Sequence, residues 1–168
     1  MRFEHNESKI IEKIMADKMY EKARNVLTQD IIRPEDFIDL YGTKNVEEDI
    51  KYVKKMEEKF KQEDSPEKQE LKKIASVLEA IIYEQAEVND WLGSEATTIK
   101  SSRYDDIKNG VDSIVEFYKE EDFSSSHMAL AIDETFSSDI NEKFERIKEE
   151  IKQGELAQIK YFISDRLN

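Results

Sequence analysis

Apolar residues recur at three- and four-residue spacing through most of the first ninety positions of the chain. This spacing places them on one face of an α-helix, so it predicts a series of helices. Capping and turn residues set the boundaries: prolines open two of the helices, glycines close the same two, and Asn45 with Glu48 forms a capping-box pattern. The predicted helices cover residues 8–27, Pro34 to Gly42, Asn45 past Phe60, and Pro66 to about Leu92.

From residue 97 onward the pattern changes to short runs of β-branched and aromatic residues, which is typical of strands. Asn109-Gly110 stands directly before one of these runs, and this dipeptide favours a tight turn between two strands. Ser138 and Gly154 then bound a helix with a clean apolar stripe. The predicted strands are Thr97–Arg103, Val111–Tyr118, Met128–Phe136 and Leu156–Ile163.

The order of these elements predicts a mixed α/β (α+β) fold in the C-terminal part of the chain. From Ser65 on, the sequence gives helix, strand, strand, strand, helix, strand, and long helices beside several strands favour a layered fold over a helical bundle. We therefore divide the chain into an N-terminal helical extension, 1–64, and an α/β core, 65–168.

Composition narrows the classes of function. The formal net charge of −13 argues against a protein that coats nucleic acid, because phosphate binding needs a basic footprint. The absence of cysteine excludes disulfides and thiolate metal sites, and two distant histidines make a histidine-rich zinc site improbable. No apolar run approaches the roughly 20 residues of a membrane span, and the first residues do not resemble a signal peptide. We expect a cytoplasmic protein that does not interact with membranes.

Two acids interrupt the apolar strand runs and need an explanation. Asp112 and Asp133 each lie in a β-type context, where a buried carboxylate costs several kcal/mol unless it is paired, protonated or bound to a metal. Strand alternation puts Asp133 on the same face as Ala129, Ala131 and Thr135, and the small alanines leave room for a ligand beside it. Magnesium takes oxygen ligands and keeps several waters, so two or three carboxylates suffice.

The element order and the acids together resemble the core of the PD-(D/E)XK (restriction-endonuclease-like) nucleases. The resemblance rests on short segments: Tyr104-Asp105-Asp106, Gly110 to Val115 with its Asp112, and Ala131 to Thr135 with its Asp133. It covers residues from Ser65 to the C-terminus. It implies a nuclease-like fold and hydrolysis of nucleic acid, with DNA favoured over RNA, assisted by Mg²⁺ or Mn²⁺.

The resemblance also implies roles for individual residues. Asp112 and Asp133 would bind the metal, and Glu79 would be the upstream helix acid, with Glu84 as its rival. The lysine that the family places two residues after the third-strand acid is Thr135 here. Lys143, on the following helix, is the candidate replacement for that lysine.

Two other readings stay open at this stage. Thr135 in place of lysine, together with the acidic net charge, favours a binding or regulatory module that keeps the fold without the chemistry. The narrow apolar stripes of the N-terminal helices would need burial, which predicts a homodimer through those helices. This last reading is compatible with either of the first two.

Overall fold

A computed structural model describes residues 2–121, 124–132, 140–154 and 158–164 of the chain. Side chains are described from residue 11 onward, except at 118–121, 124–129, 140, 142, 143 and 146. The chain forms two compact units. Met1–Asp30 and Asp64–Trp91 make up the first, called here the helical unit, and Ile31–Glu63 with Leu92–Asn168 make up the second, the sheet unit.

The helical unit consists of α1, Arg2–Gln29, packed against α4, Pro66–Val88. Lys73 in the first half of α4 donates to Asp17 of α1 at 3.2 Å. In the second half of α4, Tyr83 interacts electrostatically with Asp30, which follows α1. Burial first, and Asp30 second, raise the pKa of Tyr83. The later residue of α4 thus lies beside the later residue of the α1 segment, so the two helices run parallel.

Short helices and a longer one fill the first part of the sheet unit. Pro34–Phe37 is a 3-10 turn, α2 is Ile38–Tyr41, and α3 is Thr43–Glu63. The predicted start of α3 at a capping box on Asn45 is wrong. Gly42, at φ +79°, turns the chain directly into α3, and the Asn45 side chain donates backward to the Tyr41 carbonyl at 2.8 Å. The predicted cap of α4 is confirmed, since Ser65 Oγ accepts from the Lys68 amide.

Three antiparallel strands form the sheet in the order β1-β2-β3: Ala96–Lys100, Ser113–Glu121 and Ser124–Ile132. The strand that was predicted over Met128–Phe136 thus begins earlier, and 133–136 lie outside the described residues. The predicted tight turn at Asn109-Gly110 is wrong. A short helix, α5, Arg103–Asn109, connects β1 to β2, and Gly110 ends it in the left-handed conformation, φ +66°.

Helix α6, Ile140–Gln153, follows β3 as predicted, although its proposed cap Ser138 lies outside the described residues. The predicted last strand is wrong over its described part, 158–163, which has no strand structure. Two backbone N–H groups of this segment donate to a side chain, at Lys160 and Tyr161, instead of to a neighbouring strand. The segment is instead built into the core: Tyr161 is fully buried, with Val46, Val111, Ile114 and Val115.

The protein is therefore a mixed α+β, mostly helical chain with a small antiparallel sheet. Helix α4, which the sequence assigned to the α/β core, belongs to the same compact unit as α1. Among the described helices there is none with the length and apolar character that crossing a membrane requires.

Candidate functional site

Asp105, in the first turn of α5, is the fully buried carboxylate at the centre of the sheet unit. Ser102 caps α5: its Oγ accepts from the Asp105 amide at 3.0 Å and donates to Asp105 Oδ2 at 2.7 Å. This reciprocal pair is a variant of the capping box, with aspartate at the third helical position. The sequence placed Asp105 before a turn; the helix that starts at Ser102 explains why its side chain points inward.

The Asp105 carboxylate ties α5 to the distant 158–164 segment. Its Oδ1 accepts from the Lys160 amide at 2.7 Å and from Asn109 Nδ2 at 2.6 Å. Its Oδ2 accepts from the Tyr161 amide at 3.0 Å, in addition to Ser102. A buried carboxylate without partners would cost several kcal/mol, and these four donors compensate that cost. Asp105 is therefore a structural link, and its removal would leave these donors without an acceptor.

Lys160 carries a cation into a group of tyrosine rings. Its Nζ lies 5.2 Å from the ring centroid of Tyr41 and 5.3 Å from those of Tyr104 and Tyr161, which are cation–π distances. Asp49 Oδ2 accepts from Lys160 Nζ and from the Tyr161 hydroxyl. The ammonium group is thus paired with one carboxylate and surrounded by aromatic faces.

The pKa values in this group follow from the same contacts. Burial opposes the charged form of Lys160, but the hydrogen bond and the charge of Asp49 outweigh it and raise the pKa of the ammonium group. Burial, followed by the hydrogen bond to Asp49, raises the pKa of the Tyr161 hydroxyl. At neutral pH both residues keep their protons.

Asp112, the strand acid that the sequence singled out, is half-buried and immediately precedes β2. Its amide donates to the Ile132 carbonyl of β3 at 2.8 Å, and its carbonyl accepts from the Ser101 amide beside β1 at 3.2 Å. The preceding residue, Val111, donates its amide to the Asp105 carbonyl at 3.2 Å and accepts from Ser101 Oγ. The backbone at Asp112 is therefore fixed from both sides and connected to α5.

The other predicted site residues divide into two groups. Glu79 and Glu84 lie on α4 in the helical unit, whereas Asp112 belongs to the sheet unit. Asp133 and Thr135 lie outside the described residues, and Lys143 is on α6 with a side chain outside them. Within the described residues there is no group of three or more histidine, aspartate or glutamate side chains placed to hold a metal ion.

One further acid, Glu116, lies on β2. Glu116 is buried and lies four residues after Asp112. Alternation along β2 puts Glu116 on the same face as Ile114. The register pairs Glu116 with Ala129 of β3. The structure thus places Glu116 within the central strand of the sheet and Asp112 immediately before that strand.

Sequence reasoning missed the residues that hold the sheet unit together. Lys160 and Tyr161 were assigned to a strand, and Asp49 was given no role. The spacing of Ser102 and Asp105 was the available signal, since a hydroxyl followed three residues later by an acid indicates a helix start. Nothing local in the sequence points from Asp105 to residues 160–161.

Comparisons with protein-family models, with curated proteins and with solved structures found no match to this chain.

Proposed function

We propose that this chain is a divalent-metal-dependent hydrolase of nucleic acid with a restriction-endonuclease-like core, in which Asp112 and Asp133 bind Mg²⁺ or Mn²⁺. The observation that supports it most directly is the fixed backbone of Asp112 between the ends of β1 and β3. A metal ligand must be held within a fraction of an ångström of its productive position. Hydrogen bonds from both neighbouring strands provide that restraint.

The two acids are the sequence neighbours of the last residue pair in the β2–β3 ladder. Ser113 pairs with Ile132. In the sequence, Asp112 directly precedes Ser113 and Asp133 directly follows Ile132. Carboxylate oxygens suit magnesium, which needs few protein ligands because it keeps several waters. The described part of the chain supplies Asp112 to such a set.

The chemistry needs little else from the protein. A bound divalent cation would lower the pKa of a water nucleophile and neutralise charge developing on the phosphate. Asp112 would orient that cation through a side chain whose backbone cannot move freely. Glu79, with Glu84 as its rival, is the proposed helix acid, and Lys143 is proposed to take the part of the lysine that Thr135 replaces.

The alternative is a binding or regulatory module that retains the nuclease-like fold without hydrolysis. Thr135 at the position of the family's lysine favours it, because that lysine is expected to orient the nucleophile and stabilise charge. The net charge of −13 also disfavours broad contact with a phosphate backbone. DNA is the favoured nucleic acid under both readings.

A cleavage assay separates the two. Purified full-length protein is incubated with labelled single- and double-stranded DNA and RNA in Mg²⁺, Mn²⁺ or EDTA, beside Asp112→Asn and Asp133→Asn. Asp39→Asn is the matched control, because Asp39 is exposed on α2. Hydrolysis requires metal-dependent cleavage that both site variants lose and the control keeps.

Binding without cleavage by the wild type would support the alternative. Cleavage that persists in Asp112→Asn would refute the proposed metal site, provided that circular dichroism shows the variant folded. Glu79→Gln and Lys143→Ala then test the two supporting roles in the same assay.

A further inference from the structure

Ser113 begins β2 inside the sheet unit with a hydroxyl group that has no hydrogen-bond partner. The residue is 1 % exposed, and within the part of the chain that the structure describes its Oγ is the one fully buried side-chain polar atom without a donor or acceptor in reach. Burying a hydroxyl group without a partner costs free energy, so such groups are rare in folded proteins. The unpartnered hydroxyl of Ser113 therefore needs an explanation.

Ser101, directly after β1, is a serine of the same burial whose hydroxyl group is hydrogen-bonded. It is also 1 % exposed, but its Oγ donates to the Val111 carbonyl. Its amide donates to the Asp112 carbonyl at 3.2 Å. The two serines thus differ in hydrogen bonding and not in burial, which makes Ser101 a matched control for the stability effect of Ser113.

The backbone at Asp112 and Ser113 has the arrangement of a β-bulge. Ser113 pairs with Ile132 of β3 in the register, and the Asp112 amide donates to the carbonyl of the same Ile132 at 2.8 Å. Two consecutive residues therefore stand opposite a single residue of the neighbouring strand. A bulge interrupts the alternation of side chains and re-aims them, and bulges are enriched beside active sites. Asp112 and Ser113 are thus not confined to opposite faces of the sheet.

We propose that the Ser113 hydroxyl is a second oxygen ligand for the divalent cation that Asp112 would bind, so that the cation is the partner of the buried Oγ. This inference rests on the proposed function. Mg²⁺ and Mn²⁺ take oxygen ligands, and a serine or threonine hydroxyl serves as one in the P-loop proteins. Because Asp112 and Ser113 are consecutive, the bulge would present a carboxylate and a hydroxyl to the same cation.

Lys100 is the neighbouring residue that would favour a different ligand. It pairs with Ser113 across β1 and β2 and is 5 % exposed. An ammonium group beside a hydroxyl group suits an anion such as phosphate. The cation is favoured because Asp112 adjoins Ser113 along a backbone that is hydrogen-bonded to both neighbouring strands, whereas the ammonium group of Lys100 ends a long, flexible side chain. The experiment below includes both kinds of ligand.

The first measurement is the stability of the metal-free full chain, by urea titration in EDTA. Ser113→Ala removes a buried hydroxyl group that has no partner, so we expect it to raise the urea midpoint by roughly 0.5 M. Ser101→Ala removes a hydroxyl group that donates to Val111, so it should lower the midpoint by roughly the same amount. Opposite signs at two equally buried serines would show that the Ser113 hydroxyl is retained at a cost to stability.

The second measurement is Mn²⁺ binding, followed by the electron paramagnetic resonance signal of the free ion. Wild type should bind Mn²⁺, Asp112→Asn should lose binding, and Ser113→Ala should weaken it at least ~10-fold. A serine with a purely structural role would lower stability and binding together. Higher stability with weaker binding is therefore the signature of a group that the ligand satisfies.

Ser113→Cys tests direct contact with the cation, in a chain that has no natural cysteine. Sulfur is a poor ligand for Mg²⁺ and Mn²⁺ and a good one for softer ions such as Cd²⁺. The variant should lose at least ~10-fold in affinity for Mn²⁺ and gain a similar factor for Cd²⁺ relative to wild type. If Ser113→Ala fails to fold, this change of metal preference decides the question.

The outcomes separate this inference from the proposed function. A wild type that binds no Mn²⁺, or an Asp112→Asn variant that binds it normally, would refute the proposed metal site and this inference with it. Binding that Asp112→Asn loses but Ser113→Ala keeps would overturn this inference alone. So would a Ser113→Ala variant as unstable as Ser101→Ala, because the hydroxyl would then have a partner in the free protein. Loss of inorganic phosphate binding with unchanged Mn²⁺ binding would assign Ser113 to an anion instead.

Discussion

Removing the Asp105 carboxylate is the sharpest test of how the sheet unit is held together. Asp105→Ala deletes the acceptor of four hydrogen bonds, two of which come from the backbone amides of Lys160 and Tyr161. The side-chain donors, Ser102 and Asn109, can rotate toward other partners. The two amides cannot, because they belong to a segment whose Tyr161 side chain is fully buried.

The expected loss of stability follows from the two amides that are left without an acceptor. A buried donor left without a partner costs about 1–3 kcal/mol, so two of them, with the lost hydrogen bond from Ser102 Oγ to the carboxylate, give an expected destabilisation of about 3–5 kcal/mol. Asp105→Asn keeps one acceptor oxygen but turns an NH₂ group toward two of the donors. We expect it to cost about 2–4 kcal/mol.

The assay must report on the sheet unit. Trp91 belongs to the helical unit, so its fluorescence is the wrong probe. The near-UV circular dichroism of the tyrosine group around Lys160 is suitable, followed through a urea titration. With a slope of about 1–3 kcal/mol/M, the expected loss lowers the urea midpoint by roughly 2 M. Hydrogen exchange at the Tyr161 amide should accelerate in parallel.

Asp106→Ala is the control on the same helix. Asp106 is partly exposed and pairs with Arg103, so its loss should cost about 1 kcal/mol or less. A destabilisation by Asp105→Ala below about 1 kcal/mol, or one no larger than that of Asp106→Ala, would refute the assignment of Asp105 as the central link.

Three further predictions address the charges and the helix ends. Because the pKa values of Lys160 and Tyr161 are raised, the folded state keeps protons that the unfolded chain releases at high pH. The stability that these two residues contribute is therefore present at neutral pH and falls as pH rises above about 10. Urea midpoints from about pH 8 to 11 measure this decline, and Lys160→Met should flatten it. Gly110→Ala should cost about 1 kcal/mol in thermal unfolding, because φ is +66° and an added Cβ meets no atom within 4 Å, so the cost is conformational alone. Ser65→Ala should cost about 1 kcal/mol and Asn45→Ala less than about 0.5 kcal/mol, since Ser65 caps a helix and Asn45 does not; equal costs would contradict the boundary of α3.

Local patterns predicted most of the secondary structure because local interactions form it. The cap at Ser65 is a contact between a side chain and an amide three residues away, which a sequence displays directly. Asn109-Gly110 shows where such reasoning is ambiguous. A glycine with positive φ serves a tight turn and a helix C-terminus equally well, and the choice here depends on Ser102, eight residues before Gly110.

The candidate site was harder to predict for a related reason. The sequence drew attention to Asp112 because an acid stands out among apolar strand residues, yet the fully buried carboxylate is Asp105. The groups that compensate Asp105 include backbone amides 55 and 56 residues away. Every residue except proline offers such an amide, so no residue type marks the partner, and a segment such as 158–164 reads as a strand until its donors are assigned.

The buried network and the proposed site share a short piece of backbone, and this connection decides how variants at either place should be interpreted. Val111 donates to the Asp105 carbonyl and immediately precedes Asp112, whose own amide and carbonyl are bound to the strands on each side. A change at Asp105 that shifts α5 would therefore move the backbone beside Asp112 without touching its carboxylate. Loss of metal binding in Asp105→Asn would be a positioning effect, whereas loss in Asp112→Asn at unchanged stability would identify a ligand. Only the second result would support the proposed chemistry.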